Sequence, residues 1–529
     1  MMATKAANPE LANAEDDGEL VDRLPAMDPF QTGHIRHIEN IAHQLPNDWA
    51  HMGTRFSWQE NFEAFRYQLA YMAYALGLAH FHRLPAASGY FRKSFDRLVE
   101  KMLLPDVWYF WRETSRGGGG ANLDAPRGEG TVNPVDRDNI MFSAYVQSMS
   151  AMYDYLFDDP KYREPGALTF KFDPILFRFD ERRDFVYDEE SLNEHLYWRM
   201  VESGYLGIAC EPFCTFQICQ QPAILGFRFH DFMKGTDRAD EVTAGFERAW
   251  ADFGHFDEEG RYNTFVRTHV GEVMPNIFGP WSDGWLGALL NMWKPEMVKE
   301  HYPRQIARWV QELPDGTAYV PPVSLTGEED ISGGSALDFG FCCMWASEVG
   351  DAELLGRFLA YADNHMSPAW EKGGYYYPRN DRFEDEDGHV VMVSPCSGNA
   401  LLPYARLNVP DGLWGLYNKP WGKEHFAEPL ISEISDNVDV LRARYLPDYK
   451  KLVFTLAPRE DRDGEARLTI ANAWGGGRED WTLSLNGREV ASWRDGEIRA
   501  TGLRAERRDG ALDLGCARDG RADFVLSWD

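Results

Sequence analysis

The chain lacks any apolar run approaching the ~20 residues that a membrane-spanning helix needs. It is also short of positive charge. Against 84 Asp and Glu there are 54 Lys and Arg, a formal net charge of −30. Such a surface repels phosphate backbones and anionic headgroups, which argues against nucleic acid and membranes as partners. The N-terminal stretch has no apolar core behind its charges and does not read as a secretory signal. The expectation is a cytoplasmic protein with reduced thiols. Cysteines are few and odd in number: seven, at 210, 214, 219, 342, 343, 396 and 516. The spacing C-x3-C-x4-C lacks the paired C-x2-C or H-x3-H that would complete a zinc site, so neither a metal nor a disulfide framework is expected.

Aromatic residues, by contrast, are plentiful at 14%, with 18 Trp. Some are expected to line a cavity rather than fill a core. Apolar residues recur at helical spacing over residues 59–83, 89–104, 139–157, 191–203, 222–233, 241–253, 281–293, 335–349 and 354–364. Short connections between them predict stacked helical hairpins, and a mainly α chain built as an (α/α)6 barrel fits residues 34–435. Residues 1–33 read as a mobile acidic arm. The Gly-rich segment 116–137 reads equally as a lid or as a surface insertion. From residue 436 to 529 the pattern alternates, and Asn486-Gly487 signals a hairpin turn. That predicts a small C-terminal antiparallel, sandwich-like β domain.

The segment richest in chemistry is Cys210-Glu211-Pro212-Phe213-Cys214-Thr215-Phe216-Gln217-Ile218-Cys219. Free Cys are usually small buried hydrophobes, so this run alone leaves catalysis and packing both open. Other stretches accompany it: Phe65-Arg66-Tyr67-Gln68-Leu69-Ala70, Gly77-Leu78-Ala79, Lys101-Met102, Val107-Trp108, Asp138-Asn139-Ile140-Met141, Leu156-Phe157-Asp158-Asp159 and Gly235-Thr236-Asp237. In this order and spacing they resemble the linalool dehydratase/isomerase family, whose Cys-Glu-Pro stretch is followed by a second Cys nine residues after the first. The resemblance covers roughly residues 34–430. It implies an (α/α)6 barrel, no metal, no cofactor and a homo-oligomer, commonly ring-shaped.

The resemblance also implies a site. Cys210 and Cys219 match the two family thiols. Tyr67 falls on the family's tyrosine helix, where it would hold a substrate hydroxyl. Asp48 is the candidate for the family Asp, with a helix cap or turn role as its alternative. Glu211, Phe213, Cys214, Gln217, Tyr71, Trp281 and Asp283 are candidates for lining the substrate space. Tyr145 stands where the family has His. A phenol titrates near 10, so Tyr145 is expected to orient an oxygen rather than act as a base. Trp281 stands where the family has Tyr, Phe213 and Cys214 where polar residues are common, and Leu104 at one position of a family disulfide. The implied substrate is small, apolar or aromatic-rich, alkenyl or terpenoid-like, and different from linalool. The implied reaction is hydration, dehydration or double-bond isomerisation. Other thiol-assisted chemistry (cyclisation, C–C cleavage), a carbohydrate-active hydrolase or lyase, and a non-catalytic binding protein are the alternatives.

Overall fold

The computed structural model describes residues 16–529 apart from 54–58, 60, 120–121, 175–180, 324–333, 461 and 475–479. The helices run α1 Asp17–Arg23, α2 Pro29–Ala42, α3 Phe65–Leu78, α4 Ser88–Met102, α5 Pro105–Trp108, α6 Trp111–Thr114, α7 Ile140–Leu156 and α8 Glu189–Glu202. They continue as α9 Gln217–Lys234, α10 Arg238–Ala251, α11 Pro280–Leu290, α12 Pro295–Ile306, α13 Asp338–Val349, α14 Ala352–His365, α15 Leu402–Leu407 and α16 Gly412–Asn418.

Two kinds of helix share the work. Every residue of α3, α7 and α11 is buried, including polar Gln68, Gln147 and Asp283. A helix apolar all round belongs inside a core. Flanking helices bury only a stripe: α4 buries Phe91, Phe95, Leu98, Val99 and Met102, and α14 buries Phe358, Tyr361 and Ala362. The buried helices pack in succession, α3 on α7, α7 on α9, α9 on α11, α11 on α13 and α13 on α15, and α15 returns to α3. Helices α2, α4, α8, α10, α12 and α14 pack on this ring.

The N-terminal part differs from its expected form. Asp28 and Gln31 form a capping box with Pro29 at the first turn of α2, so a helix begins five residues before the expected start of the helical region at 34. Helix α1 is not a loose arm either. Its Leu20 and Val21, with Leu24, are buried against Leu446, Val453 and Val525. Burial of such side chains contributes roughly 1.5–3 kcal/mol each, enough to hold a two-turn helix in place.

The β region begins with Leu430–Ile434, just before the expected boundary at 436. It forms two antiparallel sheets, one of four and one of six strands. The predicted hairpin is present. Asn486 (φ 49°) and Gly487 (φ 75°) connect Trp481–Leu485 to Arg488–Arg494. Both φ values are positive, as the favoured two-residue hairpin turn requires.

Candidate active site

The loop between α8 and α9 carries Cys210, and the first turn of α9 carries Cys219. Main-chain bonds fix the loop. Cys210 donates from its amide to the Cys214 carbonyl (2.8 Å), and Cys214 to that of Glu211 (2.9 Å). Phe213 sits at φ 68° within this tight turn. The Asn139 amide, at the start of α7, donates to the Cys210 carbonyl (3.0 Å). Gln220, on α9, clamps the other end. Its Oε1 accepts from the Ile208 amide and its Nε2 donates to the Ile208 carbonyl, both at 2.9 Å. Gly207 beside it has φ 128°, and an added Cβ would lie 2.5 Å from the Gln220 side chain. Only glycine fits there.

The two thiols are free and buried neighbours. Interaction with Cys219, then burial, holds the Cys210 thiol well above the usual range. Burial also raises Cys219, but the Cys210 thiol, the Arg66 guanidinium and Cys219's own amide each oppose the rise. Cys219 lies in the first turn of α9, where the helix dipole favours an anion. Glu211 adds to the rise of Cys219, while the helix position biases the pair towards an anion on Cys219. Both stay protonated at neutral pH.

Tyr67 lies beside this pair. Burial raises its phenol far above the ordinary value, with Cys210, Cys219 and Glu211 adding to the rise and Arg66 opposing it. Arg66 is the residue that sequence reasoning passed over. It is buried, its Nη2 donates to the Tyr67 hydroxyl (3.1 Å), and its guanidinium lies 4.5 Å over the Tyr67 ring and 4.1 Å over Phe110. The available signal was a cation at the start of an apolar helix, which a buried position tolerates only with partners.

An aromatic wall adjoins Tyr67. Its ring is 6.0 Å from Tyr145, 5.4 Å from Trp285 and 6.4 Å from Phe62. Phe62 is 4.4 Å from Trp281. Tyr71 packs edge-on to Tyr145 at 6.0 Å, and its hydroxyl accepts from Trp285 Nε1. The Tyr145 hydroxyl is buried near that of Tyr71 but makes no hydrogen bond of full geometry. Burial keeps it protonated, raised further by Tyr71, Tyr74 and Tyr67. The structure thus brings together Cys210, Cys219, Tyr67, Glu211, Tyr145, Tyr71 and Trp281. Cys214, also buried, begins the strand Cys214–Phe216 that pairs with Phe265–Arg267.

Other expected site residues have different duties. Asp48 is exposed, and its Oδ1 accepts from the Ala50 amide (3.0 Å). This is the turn role, and it removes Asp48 from proton transfer at the thiols. Gln217 donates to the Asn263 carbonyl (2.6 Å) and pairs with His255 Nδ1 (3.0 Å), tying α9 to the loop before residues 265–267. Asp283 accepts from the Tyr262 amide (3.0 Å), Asn276 Nδ2 (3.0 Å) and Trp309 Nε1 (3.2 Å). Its carboxyl, pushed up to about 7 by burial, holds a loop rather than a substrate. Phe213, half-buried, faces His269 at 5.4 Å. Of the Gly-rich segment, Asn122 donates to the Pro212 carbonyl (3.2 Å), so it rests on the Cys210 loop.

The family model for linalool dehydratase/isomerase matches residues 66–383, which hold both thiols, Arg66, Tyr67 and Tyr145. The chain belongs to the linalool dehydratase/isomerase family. Within that family match, the matched stretch runs from α3 through α14. Solved structures are only distantly similar. An inactive variant of an α-1,6-mannanase of Salegentibacter sp. HEL1_6, in complex with α-1,6-mannotetrose, is 13% identical over 71% of this chain and 99% of that one, with a TM-score of 0.39. Endoglucanase CelQ from Clostridium thermocellum, complexed with cellotetraose, is 11% identical over 94% of this chain and 92% of that one, with a TM-score of 0.34. Likeness this loose has no bearing on the chemistry. Among the described residues, no helix is long and apolar enough to cross a membrane.

Proposed function

We propose that this family member is a cofactor-independent lyase/isomerase that removes, adds or relocates water on an alkenyl, terpenoid-like alcohol, in an (α/α)6 barrel made by the closed helix ring. The carrying observation is the buried pair of free thiols beside Tyr67 and Arg66. A tertiary or allylic hydroxyl leaves only as water, so a positioned acid must protonate it. Cys219 supplies that proton. The C–O bond breaks, water departs with the electron pair, and an allylic cation remains. The Tyr67, Tyr145, Trp281 and Trp285 rings provide faces that stabilise it. The Cys219 thiolate, held by the Cys210 S–H and the Arg66 charge, then takes a proton from the adjacent carbon. An alkene forms and the thiol is restored. The reverse order hydrates. Tyr67 and Tyr145 donate hydrogen bonds to the departing oxygen and are not titrated.

The test is turnover of a panel of tertiary and primary allylic alkenols in D2O by the wild type and Cys219→Ala. Dehydration with solvent deuterium entering the recovered alkenol is expected from the wild type alone. An equally active Cys219→Ala variant would overturn the reading.

A further inference from the structure

A second cluster of chemistry-bearing side chains lies outside the thiol site. Three residues from two separate segments meet: His365 at the last residue of α14, and Asp385 with His389 in a turn, while Asp315 in a second turn faces His365 alone. One donor atom each from His365, Asp385 and His389 can be chosen so that all lie within 4.8 Å of one another. The two imidazole rings stack at 4.0 Å with 25° between their planes.

Each carboxylate is aimed by its own turn. Asp315 Oδ1 accepts from the Thr317 amide (2.9 Å) and hydroxyl (2.7 Å), which leaves Oδ2 facing His365 Nε2 at 3.6 Å. Asp385 Oδ1 accepts from the amides of Asp387 (3.0 Å) and His389 (2.8 Å), which leaves Oδ2 facing His389 Nδ1 at 3.1 Å. The strap bearing Asp385 and His389 is held in register by bridges between Asn380 and Val393 and between Glu384 and Val390. The Tyr361 hydroxyl, one turn before His365, donates to the Val390 carbonyl of that strap (2.9 Å). His365 Nε2 is buried and makes no hydrogen bond. Its gap to Asp315 is too long for one.

As two ion pairs this arrangement is poor, because one nitrogen goes unsatisfied. As a ligand set it is good. Ligand atoms about 2.0–2.2 Å from zinc in a tetrahedron stand about 3.3–3.5 Å apart, close to the 3.1 Å between His389 Nδ1 and Asp385 Oδ2. Two imidazole nitrogens with one carboxylate oxygen suit zinc better than the all-oxygen demands of calcium or magnesium.

We propose that His365, Asp385 and His389 hold a zinc ion, with water completing the tetrahedron, that clips the 380–393 strap to the end of α14. Its ligands are spread over residues 365–389, with no short spacing motif to read. The site lies on α14 and the turn that it joins.

The test uses the full chain stripped by chelator and then loaded with zinc or cobalt. One equivalent of zinc should survive gel filtration, and the melting temperature should rise on loading. His389→Ala and His365→Ala should each weaken zinc affinity by at least about 100-fold, a larger loss than for a supporting residue. Their metal-free melting curves should match that of the stripped wild type, which separates lost binding from lost folding. Cobalt should give visible ligand-field bands without the near-ultraviolet thiolate band that Cys210, Cys214 and Cys219 would produce. Failure of the wild type to retain zinc would overturn the proposal. So would equal zinc uptake by both His variants, or a thiolate band that disappears in Cys219→Ser.

Discussion

The two clusters of titratable side chains are opposites in their exposure to water. Cys210, Cys219 and Tyr67 are sealed, and the wall beside them is aromatic. His365, Asp315, Asp385 and His389 are partly open, with side-chain exposures of 15%, 47%, 29% and 28%. Burial keeps protons on the first cluster, because a thiolate or phenolate there loses its hydration. Access to water lets the second cluster hold charged carboxylates. A dry site supplies protons, and a wet one offers lone pairs. The same chain can therefore carry an acid and a cation clip without either interfering with the other.

The sealed cluster can be broken one group at a time. Cys219→Ala removes the proton that moves, and turnover of the alkenol should fall by about 10²-fold or more. Arg66→Met removes the charge that steadies the thiolate. It also removes the hydrogen bond to the Tyr67 hydroxyl, and a hydrogen bond to a charged group contributes about 1.5–3 kcal/mol, so a loss of roughly 10–100-fold is expected, read as kcat with melting temperature as the folding control. Tyr145→Phe should slow turnover by about tenfold, the worth of one neutral hydrogen bond. Because the Tyr145 hydroxyl lacks a full partner in the unliganded fold, the same change should leave the melting temperature equal or higher. A variant that is both slower and markedly less stable would refute that assignment.

Alkali tests the sealing itself. All seven cysteines are buried and their thiols are raised. In the unfolded chain thiols ionise near 8.5, while the folded chain still holds its protons. The unfolded state then binds fewer protons, so stability falls as pH rises. The contribution of these thiols should be intact below about pH 8.5 and decline above it, measured by urea unfolding from pH 7 to 10. The smallest effect is expected at the surface. Asp48→Asn should change turnover by less than about twofold and stability by no more than about 0.5 kcal/mol. A large loss of turnover would return Asp48 to the mechanism.

Helical periodicity made the ring of helices visible from sequence, since α3, α7 and α11 are long apolar runs. Two starts were misplaced for identifiable reasons. Pro222 looks like a first-turn proline, yet α9 begins at Gln217 and carries Pro222 within it. That shift put Cys219 on a helix rather than in a loop, and with it the dipole that favours its anion. Asp28 to Gln31 spelled a capping box, but a chain otherwise acidic and apolar-poor up to residue 33 concealed it. The thiol pair was legible because its spacing is local. Arg66 was not singled out, since its burial depends on the Phe110 ring, more than 40 residues away. Asp48 was misassigned because a lone acid before a Trp carries no directional signal. The histidine–carboxylate cluster was invisible for the same reason as most tertiary sites: the end of a helix and a separate turn bring it together.

One feature of the thiol loop bears on redesign. Cys210 is positioned by peptide groups, namely its own amide on Cys214 and its carbonyl under Asn139, with Gln220 gripping the chain two residues before it. None of these anchors is an aromatic ring. Exchanging Phe62, Trp281 or Tyr145 for larger or smaller side chains would therefore reshape the substrate's surroundings while the sulfur keeps its coordinates. On the proposed chemistry, the scaffold separates what is recognised from what reacts, which makes the aromatic wall the natural place to begin a library for new alcohols.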